Sequence, residues 1–170
     1  MKVVLSRKEM LSEWLRRRAV EPMRLDCTVS RSDGPDVESL AEDEMRGWYL
    51  RQLDEAPAHL LSACVIGASE VQTVYDESQR LATVRLPEGV RRVLELELSN
   101  GVTVRPDATA AQVVRAAANG LWRRELAATV SGGTVIGAAF SAPLSRLRVI
   151  MDRGPEFYEF DDALWNEVTF

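Results

Sequence analysis

The 170-residue chain has one histidine, His59, and two cysteines, Cys27 and Cys64, which stand 37 positions apart. Without a Cys-x-x-Cys pair or a second histidine, the usual zinc sites lack a ligand set. Two isolated thiols in a reducing compartment are expected to stay reduced and to pack as small apolar side chains. No apolar run approaches the ~18 residues of a membrane span. The opening MKVVL is too short for the apolar core of a signal peptide, so the expected location is the cytoplasm. Twenty-one basic residues against 26 acidic ones leave a net charge of −5, which argues against a dedicated nucleic-acid binder, whose phosphate contacts need a concentrated basic face. Catalytic signatures are missing too. SGGTVIG, residues 131–137, has neither the dinucleotide-binding spacing nor the Gly-Lys-Ser/Thr ending of a phosphate loop, and reads as a turn entering a strand. Neither a serine elbow nor a cysteine nucleophile motif stands ready to partner His59. No catalytic, cofactor-binding or metal-binding residue is therefore expected, and the chain is read as non-enzymatic.

What is present suits a folded domain. Hydrophobic residues make up 46% of the chain and charged ones 28%, the balance of an ordinary globular protein. A chain of this length buries roughly 70% of the surface it exposes unfolded, enough for a core without covalent staples. Charge is unevenly placed. Residues 1–35 carry +3, residues 36–77 carry −8, residues 78–154 carry +5 and residues 155–170 carry −5. Alternating stripes of this kind steer one copy onto another, or onto an oppositely charged partner.

Local patterns predict an α+β domain: about three N-terminal helices over residues 1–66, a mostly antiparallel sheet over 67–155 with one further helix near 107–119, and an acidic tail over 156–170. Ser6 and Glu9 form a capping box ahead of a helix whose apolar stripe is Met10, Leu11, Trp14 and Leu15. CTVSRSDGP, residues 27–35, reads as a loop. A second helix carries Leu40, Ala41, Met45, Trp48, Tyr49 and Leu53 at helical spacing and should end at Pro57, which can neither donate an amide nor leave Ala56 helical. PAHLLSACV is then expected to restart as a third helix, with Pro57 at its first position. Beyond Gly67, short alternating runs replace the helical period. In LELEL, Leu94, Leu96 and Leu98 alternate with Glu95 and Glu97, and Asn100-Gly101 is the pair that a two-residue type I′ hairpin favours. Asp107 is placed to cap the alanine-rich helix.

Candidate interaction residues are the arginine doublets Arg91-Arg92 and Arg123-Arg124 with the adjacent Trp122, and Glu159, Asp161, Asp162, Trp165 and Phe170 of the terminal segment. Arginine pairs suit acidic surfaces of another subunit, or phosphate. Large apolar side chains within a charged tail suit docking, and equally suit a core.

The succession of MRGWYLRQLDEAPAHLL, then VRLPEGVRRVLELELSNG with its Leu86-Pro87 pair leading into a strand, then AAFSAPLSRLRVIMDRGP, resembles the layout of small tailed-phage head-to-tail connector or tail-adaptor proteins. The resemblance spans roughly residues 1–155. It implies a non-enzymatic subunit of a phage or prophage, resident in the virion, that self-associates into a homo-oligomer or ring through heterologous contacts and binds other structural proteins. The acidic tail would then be a docking arm. Two other readings stand beside it: a bacterial module that binds a small molecule or peptide, and a hydrolase using scattered carboxylates with His59.

Overall fold

The computed structural model of the protein describes residues 1–18, 37–112, 115 and 125–167. The architecture is α+β. Its helices are α1 (Arg7–Arg18) and α2 (Val37–Glu55). Its strands are β1 (Lys2–Ser6), β2 (Ala63–Gly67), β3 (Gln72–Asp76), β4 (Leu81–Arg85), β5 (Val90–Leu98), β6 (Thr103–Val104), β7 (Ala127–Ser131), β8 (Thr134–Ala138), β9 (Leu144–Met151) and β10 (Phe157–Asp161). They form three antiparallel sheets in place of the one expected: β1-β10, β2-β9-β5-β6 and β3-β4-β8-β7. The chain divides into two compact units, one made of residues 1–62 with 152–170 and the other of residues 63–151. No described helix is long and apolar enough to cross a membrane.

In the first unit the capping box forms as its residues predict. Glu9 Oε2 accepts from the Ser6 amide at 2.8 Å, and Ser6 Oγ accepts from the Glu9 amide at 3.3 Å. The box joins β1 directly to α1. From α1, Met10 and Trp14 turn inward, and from α2 come Ala41, Met45, Trp48, Tyr49 and Leu53, all buried. The terminal segment supplies the other half of this core: β10 lies antiparallel to β1, with Val3 opposite Phe160 and Leu5 opposite Tyr158.

The third helix does not form. Helix α2 ends at Glu55, and Pro57, with ψ at 133°, is already extended. A single 3₁₀ turn, Ala58–Leu60, follows, and Leu61 bridges to Phe160. ACVIG then enters β2, because its branched side chains pack better on a pleated surface than on a helix. Two α-helices, not three, are therefore described in the N-terminal part of the chain.

The second unit is built from the two four-stranded sheets, and Ile66, Val84, Val93, Leu96, Leu98, Val135, Phe140, Leu147 and Val149 form its core. Alternation in β5 holds from Glu95 to Leu98, with Leu96 and Leu98 buried. A register shift between Val93 and Glu95 makes Leu94 the extra residue, so that Val93 is buried in its stead. The two-residue hairpin lies elsewhere than expected. At Asn100-Gly101 only the glycine has positive φ (85°). The Gly101 amide donates to Leu98 O, and the Leu98 amide to Val102 O, which closes a three-residue loop ending in left-handed glycine. The turn with two positive-φ residues is Gly132-Gly133 (59° and 75°), flanked by the pair Ser131 and Thr134. Phe140 is fully buried against Gly137, where a Cβ would lie well inside contact distance of the ring. Asp107 caps a 3₁₀ turn, Ala108–Ala110, by accepting from the Thr109 amide at 2.9 Å. Most of the helix expected to follow, residues 113–114 and 116–119, lies outside the described residues.

Candidate functional site

The interaction residues named from sequence fall in separate places. Arg91 and Arg92 stand at the start of β5 in the second unit, Arg91 exposed and Arg92 half-buried. With Val90, Pro106, Asp107 and Val130 they line an open cleft of about 350 Å³. Trp122, Arg123, Arg124 and Phe170 lie outside the described residues. Glu159, Asp161, Asp162 and Trp165 belong to the first unit, where most of them have a structural task.

Trp165 is a core residue, 6% exposed. Its ring lies parallel to that of Trp48, with centroids 5.1 Å apart, and meets Phe160 edge-on at 5.3 Å. The Arg17 guanidinium covers it from 4.7 Å. Asp161 and Asp162 both receive the Met1 ammonium, at 3.2 and 2.7 Å, and Asp161 also accepts from the Ala163 amide at 3.0 Å. Glu159 faces Arg153 at 3.8 Å. The 156–170 segment, drawn from sequence as a docking arm, is therefore a strand and a 3₁₀ turn as far as Glu167. It folds there because Tyr158, Phe160, Leu164 and Trp165 bury far more apolar surface than its acids would gain from staying solvated together.

Other charged groups are engaged in the same way. Asp152 receives Arg46 on both oxygens, with Nη1 to Oδ1 at 2.8 Å, and also accepts from the Gly154 amide. Arg7 pairs with Glu42, and Arg16 and Arg17 with Glu13. Hydrogen bonds from the Ser6 backbone and hydroxyl hold Glu9 below the usual carboxylate range. The Arg16 guanidinium does so for Glu13 and Arg7 for Glu42. In the second unit the Ser78 hydroxyl lowers Asp76 and the Thr109 amide lowers Asp107. At Asp161 the Ala163 amide is the main cause, ahead of the terminal ammonium. A general acid needs the opposite shift. His59 is exposed in the 3₁₀ turn after Pro57. No group of three or more His, Cys, Asp or Glu among the described residues is arranged to hold a metal.

A cleft of about 690 Å³ in the first unit is lined by Val3, Leu5, Ser12, Glu13, Arg17 and Trp165, and is open to solvent. Of its charged groups Glu13 and Arg17 are paired with each other, Glu9 is held by Ser6 and Asp162 by the Met1 ammonium, and Lys8 also stands at its rim.

The residues that sequence reasoning missed are apolar side chains on strands at sheet edges. Val65 on β2 is 58% exposed, Val74 on β3 69% and Val130 on β7 43%, and all three strands are outermost in their sheets. Alternation signals a strand in each case, but it carries no information on which strand has a neighbour on only one side. Comparison of the chain with family models, curated proteins and solved structures finds no match.

Proposed function

We propose that the protein is a non-enzymatic structural or adaptor subunit that works through protein–protein contacts, and that it is a head-to-tail connector subunit of a tailed phage or prophage. The observation that carries the first part is the set of sheet edges. Natural sheets protect their outer strands with lysine, proline or bulges, whereas β2, β3 and β7 read ACVIG, QTVYD and AATVS and each exposes a valine. Edges of this composition are suited to pairing with another chain. The occupied carboxylates support the same reading, since their hydrogen bonds hold them ionised as structural anions. The role calls for no cofactor, places the protein in the cytoplasm before assembly and in the virion after it, and makes other copies and neighbouring structural proteins its partners.

The connector assignment rests on the resemblance in layout, and the genes that flank this one test it. Portal or terminase genes beside it are the expected result; metabolic genes on both sides would contradict the assignment.

A further inference from the structure

Edge strand β3 is built for pairing with a second copy of itself, and the geometry points to an isologous contact centred on Val74. This inference rests on the structural reading above and specifies its surface. Among the outermost strands of the two four-stranded sheets β3 alone contains a charged residue, Asp76. Strand β6 is only two residues long, and β2 and β7 have no charge with which to set a register.

Side chains alternate along β3, so Gln72, Val74 and Asp76 share its outer face, with Arg85 across from Gln72 and Thr83 across from Val74 on β4. A two-fold axis at Val74 runs the second β3 antiparallel to the first. It sets Val74 against Val74, Gln72 against Asp76 of the other copy, and Thr73 against Tyr75. No like charges are then opposed, which is a condition for a stable cross-strand pair. The Gln72 amide group donates to the opposing carboxylate, and exposed Arg85 stands directly behind Gln72 on β4, two strand spacings or about 10 Å from that same anion. The arrangement is self-complementary because the acid and the arginine occupy opposite ends of the hairpin edge. A two-fold requires that property. Asp76 is ready for the role: its Oδ1 takes the hydrogen bonds of Ser78 and Gln79 in the β3–β4 turn, which leaves Oδ2 as a second acceptor. Tyr75 is fixed from the inner side, its hydroxyl donating to Phe140 O at 2.7 Å, so that the edge is held extended before any partner arrives.

A pair of five-residue strands buries less than the ~1,200 Å² below which associations are weak. The contact therefore forms in concentrated solution, or where other contacts already hold copies together.

Amide hydrogen exchange of the intact protein, measured in dilute and in concentrated solution, tests this. In the wild type, exchange across Gln72–Asp76 should slow several-fold on concentration. In Val74→Lys, a change at an exposed position that places a charge on the two-fold, it should be the same at both concentrations. Exchange in β3 that ignores concentration while the wild type still associates would overturn the β3 contact and leave the structural reading standing. So would equal protection in V74K, or protection that appears only when a different structural protein is added. A wild type that does not associate at all would contradict both.

Discussion

Two glycines show how closely single residues are fitted. A Cβ at Gly137 would overlap the ring of Phe140, and one at Gly154 would overlap the Arg46 guanidinium. The ring is fully buried with no room to retreat, whereas a guanidinium ends a flexible chain. Gly137→Ala is therefore expected to cost about 1–3 kcal/mol in denaturant unfolding, as overpacking does, and Gly154→Ala less. Equal costs would mean that Asp152 holds Arg46 as firmly as the core holds Phe140. Neither glycine was legible from sequence: Gly154 meets Arg46 of another element, and the approach of Phe140 to Gly137 goes with the left-handed backbone of Ala139 (φ 59°), for which no local residue pattern calls. The capping box was legible, since Ser6 and Glu9 act across only three residues. Tyr49 makes a prediction at alkaline pH. Burial pushes its phenol up to about 12, against a hydrogen bond from the Glu159 backbone. The unfolded chain then loses this proton near pH 10 while the folded one keeps it. The stabilisation is complete below pH 10 and declines as pH rises towards 12. Tyr49→Phe should flatten that part of the stability profile; an unchanged slope would assign it to other groups.

Among the elements, the first two helices were read well, the third was not, and strand neighbours were read poorly. The 3.6-residue period of Met45, Trp48, Tyr49 and Leu53 states which face of α2 is buried without reference to any partner. After Pro57 the sequence is ambiguous, because a short apolar run fits a helix or a strand equally well, and pairing with β9 decides for the strand. Pro57 itself is exposed, with its φ of −55° already suited to proline. Pro57→Ala should cost no more than ~1 kcal/mol, through the added freedom of the unfolded chain, and leave the fold intact. A collapse of the far-ultraviolet dichroism would contradict its role as a simple stop. Turn chemistry misled in one place: Asn-Gly favours the two-residue hairpin, but the register of β5 against β6 left three residues to close, and only the glycine needed a left-handed backbone. Which strand would stand at an edge is set by the sheet order, and no local pattern in the sequence reports it.

For the whole molecule, the main revision concerns the terminal segment. Its five acids and five aromatics suggested an arm from sequence, yet the described part completes the core begun by α1, α2 and β1. Trp165→Ala should cost about 3–5 kcal/mol, as loss of a large buried aromatic does, and shift the tryptophan emission of the stacked pair with Trp48. Retained stability would restore the arm. The striped charge now divides into two kinds: pairs such as Arg46–Asp152 and Arg7–Glu42 that stay within the first unit, and exposed groups such as Arg85 and Asp76 that remain for contacts. Since the hydrogen-bonded carboxylates Glu9, Glu13, Glu42, Asp76, Asp107 and Asp161 are held below their usual range, their contribution persists through neutral pH. It is lost only as pH falls below about 4 and through their lowered values. Self-association is thus predicted to be independent of pH across the neutral range. Molar mass by light scattering over a wide range of protein concentration at neutral pH tests the central claim most directly. The protein is expected to rise above its monomer mass as concentration increases; a mass that stays at 19.0 kDa throughout would contradict the account.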